Sequence, residues 1–147
     1  MSTRILILCT GNSCRSQMAE GFLKSFDRKL AVYSAGTEPE LHVNPKAVEV
    51  MKEIGIDISD SFTKSVNFFT HKSFDYVITV CDDAKESCPV FLGQVEHRIH
   101  MGFKDPSKVK GSEQEILLAF RKSRDEIKEA FNEFYKKNIL SFEMKGK

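Results

Sequence analysis

Residues 4–16 read Arg-Ile-Leu-Ile-Leu-Cys-Thr-Gly-Asn-Ser-Cys-Arg-Ser, an apolar run that leads into a short polar loop. A continuous apolar run is typical of a strand that is buried on both faces of a parallel sheet. Apolar residues at helical spacing begin at Met18, so the pattern predicts a helix that starts near Cys14 or Arg15. The order strand, loop and helix favours an α/β fold with a binding loop at the end of its first strand.

The rest of the chain alternates between strands and helices. The predicted elements are strands over Ala31–Gly36, Asp75–Cys81 and Glu96–Met101, a helix from Asn44-Pro45 to Gly55, and a long amphipathic helix from Ile116 to Phe134. Such alternation predicts a single α/β domain over residues 1–147, built on a four-stranded parallel sheet with helices on both faces. Ligands of these sheets bind beyond the carboxyl ends of the strands, where Cys9 and Cys81 both fall.

Composition excludes several functional classes. The chain has 147 residues, 29% of them charged, and a formal net charge of +1, so no overall field favours nucleic acid or an anionic membrane. The apolar run Ile5–Leu8 is too short for a signal-peptide core or a membrane span. We therefore expect a cytoplasmic monomer that binds neither nucleic acid nor membranes. Its four cysteines are then reduced by default, which argues against a structural disulfide framework.

The loop from Cys9 to Arg15 has the pattern of an oxyanion site. Five intervening residues let several backbone N–H groups converge above the N-terminus of a helix, and Arg15 can hold two oxygens through its planar guanidinium. Gly11 and Asn12 tolerate backbone angles that other residues resist. Donors around Cys9 favour its thiolate, and Ser16 can donate one more hydrogen bond to the sulfur. The predicted oxyanion-binding residues are Thr10, Gly11, Asn12, Ser13, Cys14, Arg15 and Ser16. The alternative is a buried structural cysteine before an ordinary helix cap.

Three more residues are candidates for chemistry. Cys81 and Cys88 are too far apart in sequence for a typical pair of zinc ligands, which usually lie two to four residues apart. Their sulfurs could meet within disulfide distance, or the two cysteines could be unrelated. Asp105 precedes Pro106 and is either a general acid for a leaving oxygen or part of an ordinary Asp-Pro turn.

Other polar residues are expected at the surface. His97 and His100 lie three residues apart on a predicted strand and so face opposite sides, which favours surface positions over a metal site. We also expect a solvated face on the terminal helix, formed by charged residues such as Arg121, Arg124, Asp125 and Lys128.

Taken together, these motifs resemble the thioredoxin-coupled arsenate reductases, whose fold is that of the low-molecular-weight protein tyrosine phosphatases. The matching segments are Cys9–Glu20, Tyr33–Gly36, Val43–Ala47, the Cys81 and Cys88-Pro89 pair, and Gly102–Pro106. The loop from Cys9 to Arg15 and the Asp-Pro pair are common to both branches. The spacing of Cys81 and Cys88, with Ser-Gln-Met-Ala-Glu after Arg15, is specific to the reductases.

The resemblance implies reduction of arsenate to arsenite by a three-thiol relay, for arsenic detoxification. Cys9 attacks arsenate held by Arg15, while Asp105 protonates the departing oxygen. Cys81 then attacks the Cys9 sulfur and releases arsenite. Cys88 attacks Cys81 in turn, and thioredoxin reduces the resulting disulfide. Cys14 has no role in this scheme and is expected to be a small buried residue.

Some members of that family bind potassium through residues that match Asn12, Glu20 and Ser34, together with a nearby aspartate. This chain has Lys64 in place of the aspartate. An ammonium at the cation's position could fix Asn12 through Glu20. We therefore expect no potassium requirement, no other metal and no cofactor.

Two other functions use some of the same residues. A phosphomonoesterase would need Cys9, Arg15 and Asp105 without the relay, and weak phosphatase activity is expected of a reductase as well. A thiol redox sensor or an oxyanion-binding regulator belongs to a different class. A sensor would leave Arg15 and Asp105 without a purpose.

Overall fold

A computed structural model describes residues 2–82 and 90–141, so Cys88 lies outside the described residues. The main elements are β1 (Arg4–Cys9), α1 (Arg15–Phe26), β2 (Ala31–Gly36), α2 (Pro45–Lys52), β3 (Phe74–Thr79), β4 (Val95–His100) and α3 (Glu113–Phe134). Two short 3-10 helices span Val66–Phe69 and Pro106–Lys108, and a π-helical turn, Tyr135–Leu140, follows α3. The strands are all parallel, in the order β2-β1-β3-β4, which confirms the predicted sheet.

Strand β1 lies between two apolar layers, one on each face of the sheet. Ile5 and Ile7 face the layer that contains α1, α2 and α3, whereas Leu6 and Leu8 face the opposite layer. The opposite layer is covered by the 3-10 helix Val66–Phe69 and by an aromatic cluster, so helical segments lie on both faces. Burying one such side chain contributes about 1.5–3 kcal/mol. Cys9 therefore stands at the end of a strand that is anchored on both sides.

Helix α2 and strand β3 end earlier than predicted. Helix α2 ends at Lys52 because Gly55 adopts a φ of +82° and its N–H bonds to the Lys52 carbonyl, which leaves Ile54 exposed. Strand β3 ends at Thr79, although the Val80 N–H still donates to the Leu8 carbonyl. Cys81 thus lies just beyond the carboxyl end of β3.

Arg124 does not belong to a solvated face, and that expectation is wrong. Only 8% of Arg124 is exposed, and its guanidinium donates to the Val50 carbonyl (2.9 Å), Glu53 (2.8 Å) and Asp125 (2.8 Å). A charge is tolerated at such a position only where partners surround it. Arg124 therefore joins α2 to α3, while Asp125 is exposed as expected.

Within the two described ranges, no helix has both the length and the apolar character that crossing a membrane requires.

We predict that Arg124→Met destabilises the protein by about 1–3 kcal/mol, because the Val50 carbonyl and Glu53 lose a buried donor. Methionine keeps the apolar stem of the side chain. Arg121→Met removes the other arginine that binds Glu53, on the exposed side of the pair, and should change stability little. Urea unfolding of both variants measures the difference. Equal midpoints would contradict the assignment of Arg124 as the buried link.

Candidate functional site

Residues 9–15 form a loop that joins the end of β1 to the start of α1. Asn12 adopts a φ of +52°, in the left-handed region that asparagine tolerates better than most residues. The loop is the floor of a cavity of about 640 Å3. Residues that line the cavity are Cys9, Thr10, Gly11, Asn12, Ser13, Cys14, Arg15, Glu38, Glu40, Asp82, Lys104, Asp105, Ser107, Lys108 and Val109. The structure thus brings Cys9, Arg15 and Asp105 to one cavity.

Two hydrogen-bond donors meet at the Cys9 sulfur. The Asn12 N–H donates to Sγ over 3.1 Å, and Ser16 Oγ lies 3.0 Å from the same atom. Ser16 Oγ also accepts from Asn12 Nδ2 over 2.8 Å, so its own proton is directed at the sulfur. Both groups therefore direct a hydrogen at the Cys9 sulfur at the floor of the cavity.

Arg15 reaches from the start of α1 across to the segment that holds Asp105. Its guanidinium donates to the Phe103 carbonyl (3.1 Å) and lies 3.5 Å from Asp105 Oδ2. Asp105 Oδ1 accepts from the Ser107 N–H (2.9 Å) and hydroxyl (2.6 Å), and so caps the 3-10 helix that follows. The two interpretations of the Asp-Pro pair are therefore compatible. One carboxylate oxygen fixes the turn, and the other stands beside Arg15 at the cavity.

Of the cysteines within the described residues, Cys81 differs from the other two. Cys81 is fully buried and disulfide-bonded, whereas Cys9 and Cys14 are free thiols. Its neighbour Asp82 lines the cavity, but Cys81 is not among the described residues that do. The predicted role of Cys88 falls outside the described residues.

Cys14 lies beside the cavity yet is 3% exposed. Burial raises the pKa of its thiol to about 12, against the opposing effect of a hydrogen bond with Ser13. Cys14 therefore stays protonated, and it is buried as expected.

The Asn12 side chain holds the loop through each of its polar atoms. Its Oδ1 accepts from the Lys64 backbone N–H (2.9 Å) and from Gln17 (3.2 Å). Its Nδ2 donates to Ser16 (2.8 Å) and Ser34 (3.0 Å). The contacts link the loop to α1, to β2 and to the segment before the first 3-10 helix.

Lys64 supports Asn12 in a different way from the one expected. Its ammonium donates to the Phe62 carbonyl (2.7 Å) and lies 4.7 Å from the centroid of the Phe62 ring, so the backbone N–H alone reaches Asn12. Glu20 pairs with Lys24 over 2.8 Å. Burial lowers the pKa of Lys64, and the charge of Glu20 opposes that shift only in part. Lys64 and Glu20 are thus electrostatic neighbours without a direct hydrogen bond.

Gln17 is a supporting residue that the sequence analysis missed. It is 1% exposed, and its Nε2 contacts the backbone oxygen of Asn12 (3.0 Å), the Asn12 side chain (3.2 Å) and the Phe62 carbonyl (3.0 Å). One feature of the sequence could have indicated this role: Gln17 is a long polar side chain in the first turn of α1, where the helix is buried. Gly36 was also missed, since a Cβ at this position would lie 2.4 Å from the Thr10 carbonyl oxygen. Only glycine lets β2 pass so close to the loop.

Both histidines are exposed, as predicted. His97 stacks on Tyr76 with ring centroids 5.1 Å apart, and His100 Nδ1 lies 2.7 Å from Thr79 Oγ1.

Comparison with known proteins places the whole site within a family. Residues 4–141 match the family described as low molecular weight phosphotyrosine protein phosphatase. An arsenate reductase of Shouchella clausii is 46% identical over 129 residues, which cover 86% of this chain and 91% of that protein. The family match, over residues 4–141, therefore spans the loop, Cys81 and Asp105.

Solved structures give the same fold. An arsenate reductase in the phosphate-binding state has a TM-score of 0.73 at 32% identity, over 92% of this chain and 98% of its own. A thioredoxin-dependent arsenate reductase of Corynebacterium glutamicum has a TM-score of 0.63 at 27% identity, over 95% of this chain and 63% of its own.

We predict that Gln17→Met weakens phosphate binding by about tenfold or more, because Asn12 and the Phe62 carbonyl lose a buried donor worth about 1–3 kcal/mol. Methionine has nearly the same shape but cannot donate. The control is Gln114→Met, at an exposed position of α3. Calorimetric titration with inorganic phosphate compares the variants. Wild-type affinity in Gln17→Met would show that the loop does not depend on this side chain.

Proposed function

From the premise that this chain belongs to the arsenate reductases of the low molecular weight phosphotyrosine protein phosphatase family, we propose that it reduces arsenate to arsenite by a relay of Cys9, Cys81 and Cys88, with thioredoxin as the reductant. The proposal rests above all on one observation. The Cys9 sulfur accepts two hydrogen bonds at the floor of a cavity that it shares with Arg15 and Asp105.

The first step is nucleophilic attack at arsenic. Arsenate binds to the loop N–H groups and to Arg15, and the Cys9 thiolate forms a sulfur–arsenic bond. One oxygen leaves as water after it takes a proton from Asp105. The position of Asp105 Oδ2 beside the Arg15 guanidinium supports this role, since both groups then face the same oxyanion.

The second step transfers electrons to arsenic. Cys81 attacks the Cys9 sulfur, a sulfur–sulfur bond forms, and the pair of electrons of the sulfur–arsenic bond remains on arsenic, which leaves as arsenite. Support comes from the sheet, because β1 and β3 are neighbours in register, with Leu8 opposite Thr79. Cys81 is buried and lies two residues beyond the end of β3.

The third step moves the disulfide outward. Cys88 attacks Cys81, frees Cys9, and leaves a Cys81–Cys88 disulfide for thioredoxin. This step leaves Cys81 in a disulfide and Cys9 as a free thiol. In the structure Cys81 is disulfide-bonded and Cys9 is a free thiol, and this combination supports the proposal. The similarity to a thioredoxin-dependent arsenate reductase favours thioredoxin over other dithiols.

Hydrolysis of phosphomonoesters is the second candidate activity, at a low rate and at the same site. Cys9, Arg15 and Asp105 suffice for it. Among the described residues that line the cavity there is no aromatic ring to stack on an aryl phosphate, and two carboxylates, Glu38 and Glu40, lie at the wall. This lining favours a small inorganic oxyanion over a phosphotyrosine side chain.

We predict that wild-type protein with arsenate, thioredoxin, thioredoxin reductase and NADPH consumes NADPH continuously. Cys88→Ser should stop after at most one turnover, with a Cys9–Cys81 disulfide that mass spectrometry can identify. Hydrolysis of p-nitrophenyl phosphate by the same variant should persist, because it needs neither Cys81 nor Cys88. If the wild type shows no arsenate-dependent loss of NADPH, the reductase proposal fails and the phosphatase remains.

We also propose that the enzyme needs no potassium. The polar atoms of the Asn12 side chain are already bound by protein groups, and Lys24 and Lys64 offset the charge of Glu20. Turnover and melting temperature should therefore be equal in potassium chloride and sodium chloride. Lys64→Asp removes one of the two cations and should make the enzyme respond to potassium. A strong potassium effect on the wild type would refute the proposal.

A further inference from the structure

Residues 38–44 run alongside the oxyanion loop and bind its carbonyl groups. Three backbone hydrogen bonds of 2.9 Å join this segment to the loop: Glu38 donates to Thr10, Glu40 to Gly11, and Asn44 to Ser13. In each contact the 38–44 segment supplies the N–H and the loop supplies the carbonyl. The contacts therefore hold the loop without using the N–H groups that it needs for an anion.

These contacts also set the direction of the peptide units in the loop. The C=O and N–H of a trans peptide unit point to opposite sides, so a carbonyl held by the 38–44 segment turns the next N–H away from that segment. The unit between Gly11 and Asn12 shows the result. Its carbonyl accepts from Glu40, and its N–H donates to the Cys9 sulfur over 3.1 Å. The position of the 38–44 segment thus determines which way the loop N–H groups face.

The 38–44 segment itself belongs to no helix or strand. It connects the end of β2 to α2, and its residues 38–42 are exposed. Exposed irregular segments open at low free energy unless contacts from elsewhere in the fold hold them. Asn44 fixes one end, because it is the N-cap of α2. The middle of the segment, at Glu40, depends on a different contact.

Thr63 makes that contact with Glu40. Its hydroxyl donates to the Glu40 carbonyl over 2.6 Å. Glu40 is thus bound on both sides, since its N–H donates to Gly11 and its carbonyl accepts from Thr63.

Thr63 is a firm anchor because its neighbour Lys64 is bound to the rest of the site. The Lys64 N–H donates to the Asn12 side chain over 2.9 Å, and the Lys64 carbonyl accepts from the Gly36 N–H over 2.9 Å. Gly36 is the last residue of β2. The hydroxyl of Thr63 therefore connects an exposed segment to a part of the chain that the sheet and Asn12 hold in place.

We propose that Thr63 is a positioning residue for the oxyanion loop, because its hydroxyl fixes the 38–44 segment that directs the loop N–H groups. Thr63 is not among the described residues that line the cavity, so it acts through Glu40. The proposal rests on the oxyanion binding that is part of the proposed function, and it is independent of the thiol relay.

The test compares Thr63→Val with Thr63→Ser. Valine has nearly the shape of threonine but no hydroxyl, whereas serine keeps the hydroxyl and lacks the methyl group. Thr70→Val is the matched control, because the Thr70 hydroxyl also donates to a backbone carbonyl, that of Asn67, at an exposed position. Calorimetric titration with inorganic phosphate measures the affinity of the wild type and the three variants, well below their melting temperatures.

We expect Thr63→Val to bind phosphate about threefold to tenfold more weakly than wild type, the range for the loss of one ordinary hydrogen bond. Thr63→Ser and Thr70→Val should bind phosphate like the wild type. Amide hydrogen exchange, followed by NMR, should be faster at the Glu40 N–H in Thr63→Val than in the other three proteins, because its contact with Gly11 opens more often. A loss of stability alone would lower the melting temperature and leave the phosphate affinity of the folded protein unchanged.

Wild-type phosphate affinity in Thr63→Val would overturn the proposal. An equal loss of affinity in Thr63→Ser would overturn it too, since the methyl group and not the hydroxyl would then be responsible. Unchanged exchange at Glu40 would exclude the route through the 38–44 segment. The titration uses no arsenate, so it gives its result whether or not the protein reduces arsenate. If the wild type binds no phosphate, both the oxyanion site and the role of Thr63 fail.

Discussion

The site depends on the hydrogen bonds of one side chain, that of Asn12. A loop that binds an oxyanion must leave most of its backbone N–H groups for the ligand, so side chains have to hold its shape. Asn12 resolves this conflict, because its buried amide binds Ser16, Gln17, Ser34 and the Lys64 backbone at a φ of +52°. The same residue directs the Ser16 hydroxyl towards Cys9, so the shape of the loop and the hydrogen bond at the Cys9 sulfur have a common origin.

The sheet determines where each thiol can act. β1 is buried on both faces and fixes Cys9, whereas Cys81 follows the last paired residue of β3. A nucleophile at the end of a fully buried strand and a resolving cysteine beyond a neighbouring strand suit the proposed relay, in which the second sulfur has to reach the first.

Local sequence pattern was enough for β1, the loop, the start of α1 and the parallel sheet, because each depends on neighbouring residues. Contacts over long sequence distances were not predictable in the same way. Lys64 was predicted to support the loop, but the group that contacts Asn12 is the Lys64 backbone N–H. The type of a side chain does not indicate which backbone N–H groups make such contacts. Arg124 stands on the stripe of Phe120 and Ile127, and its helical position was the better guide than its charge.

Substrate choice in such an enzyme does not have to lie in binding. Phosphate and arsenate are both tetrahedral oxyanions, and the loop N–H groups and Arg15 offer the same donors to either. Attack by Cys81 on a sulfur bound to the central atom is productive only if that atom accepts two electrons, as arsenic(V) does and phosphorus(V) does not. Under the proposed relay, selectivity therefore arises at the second step, where Cys81 reaches Cys9, and the loop has no need to distinguish the two anions.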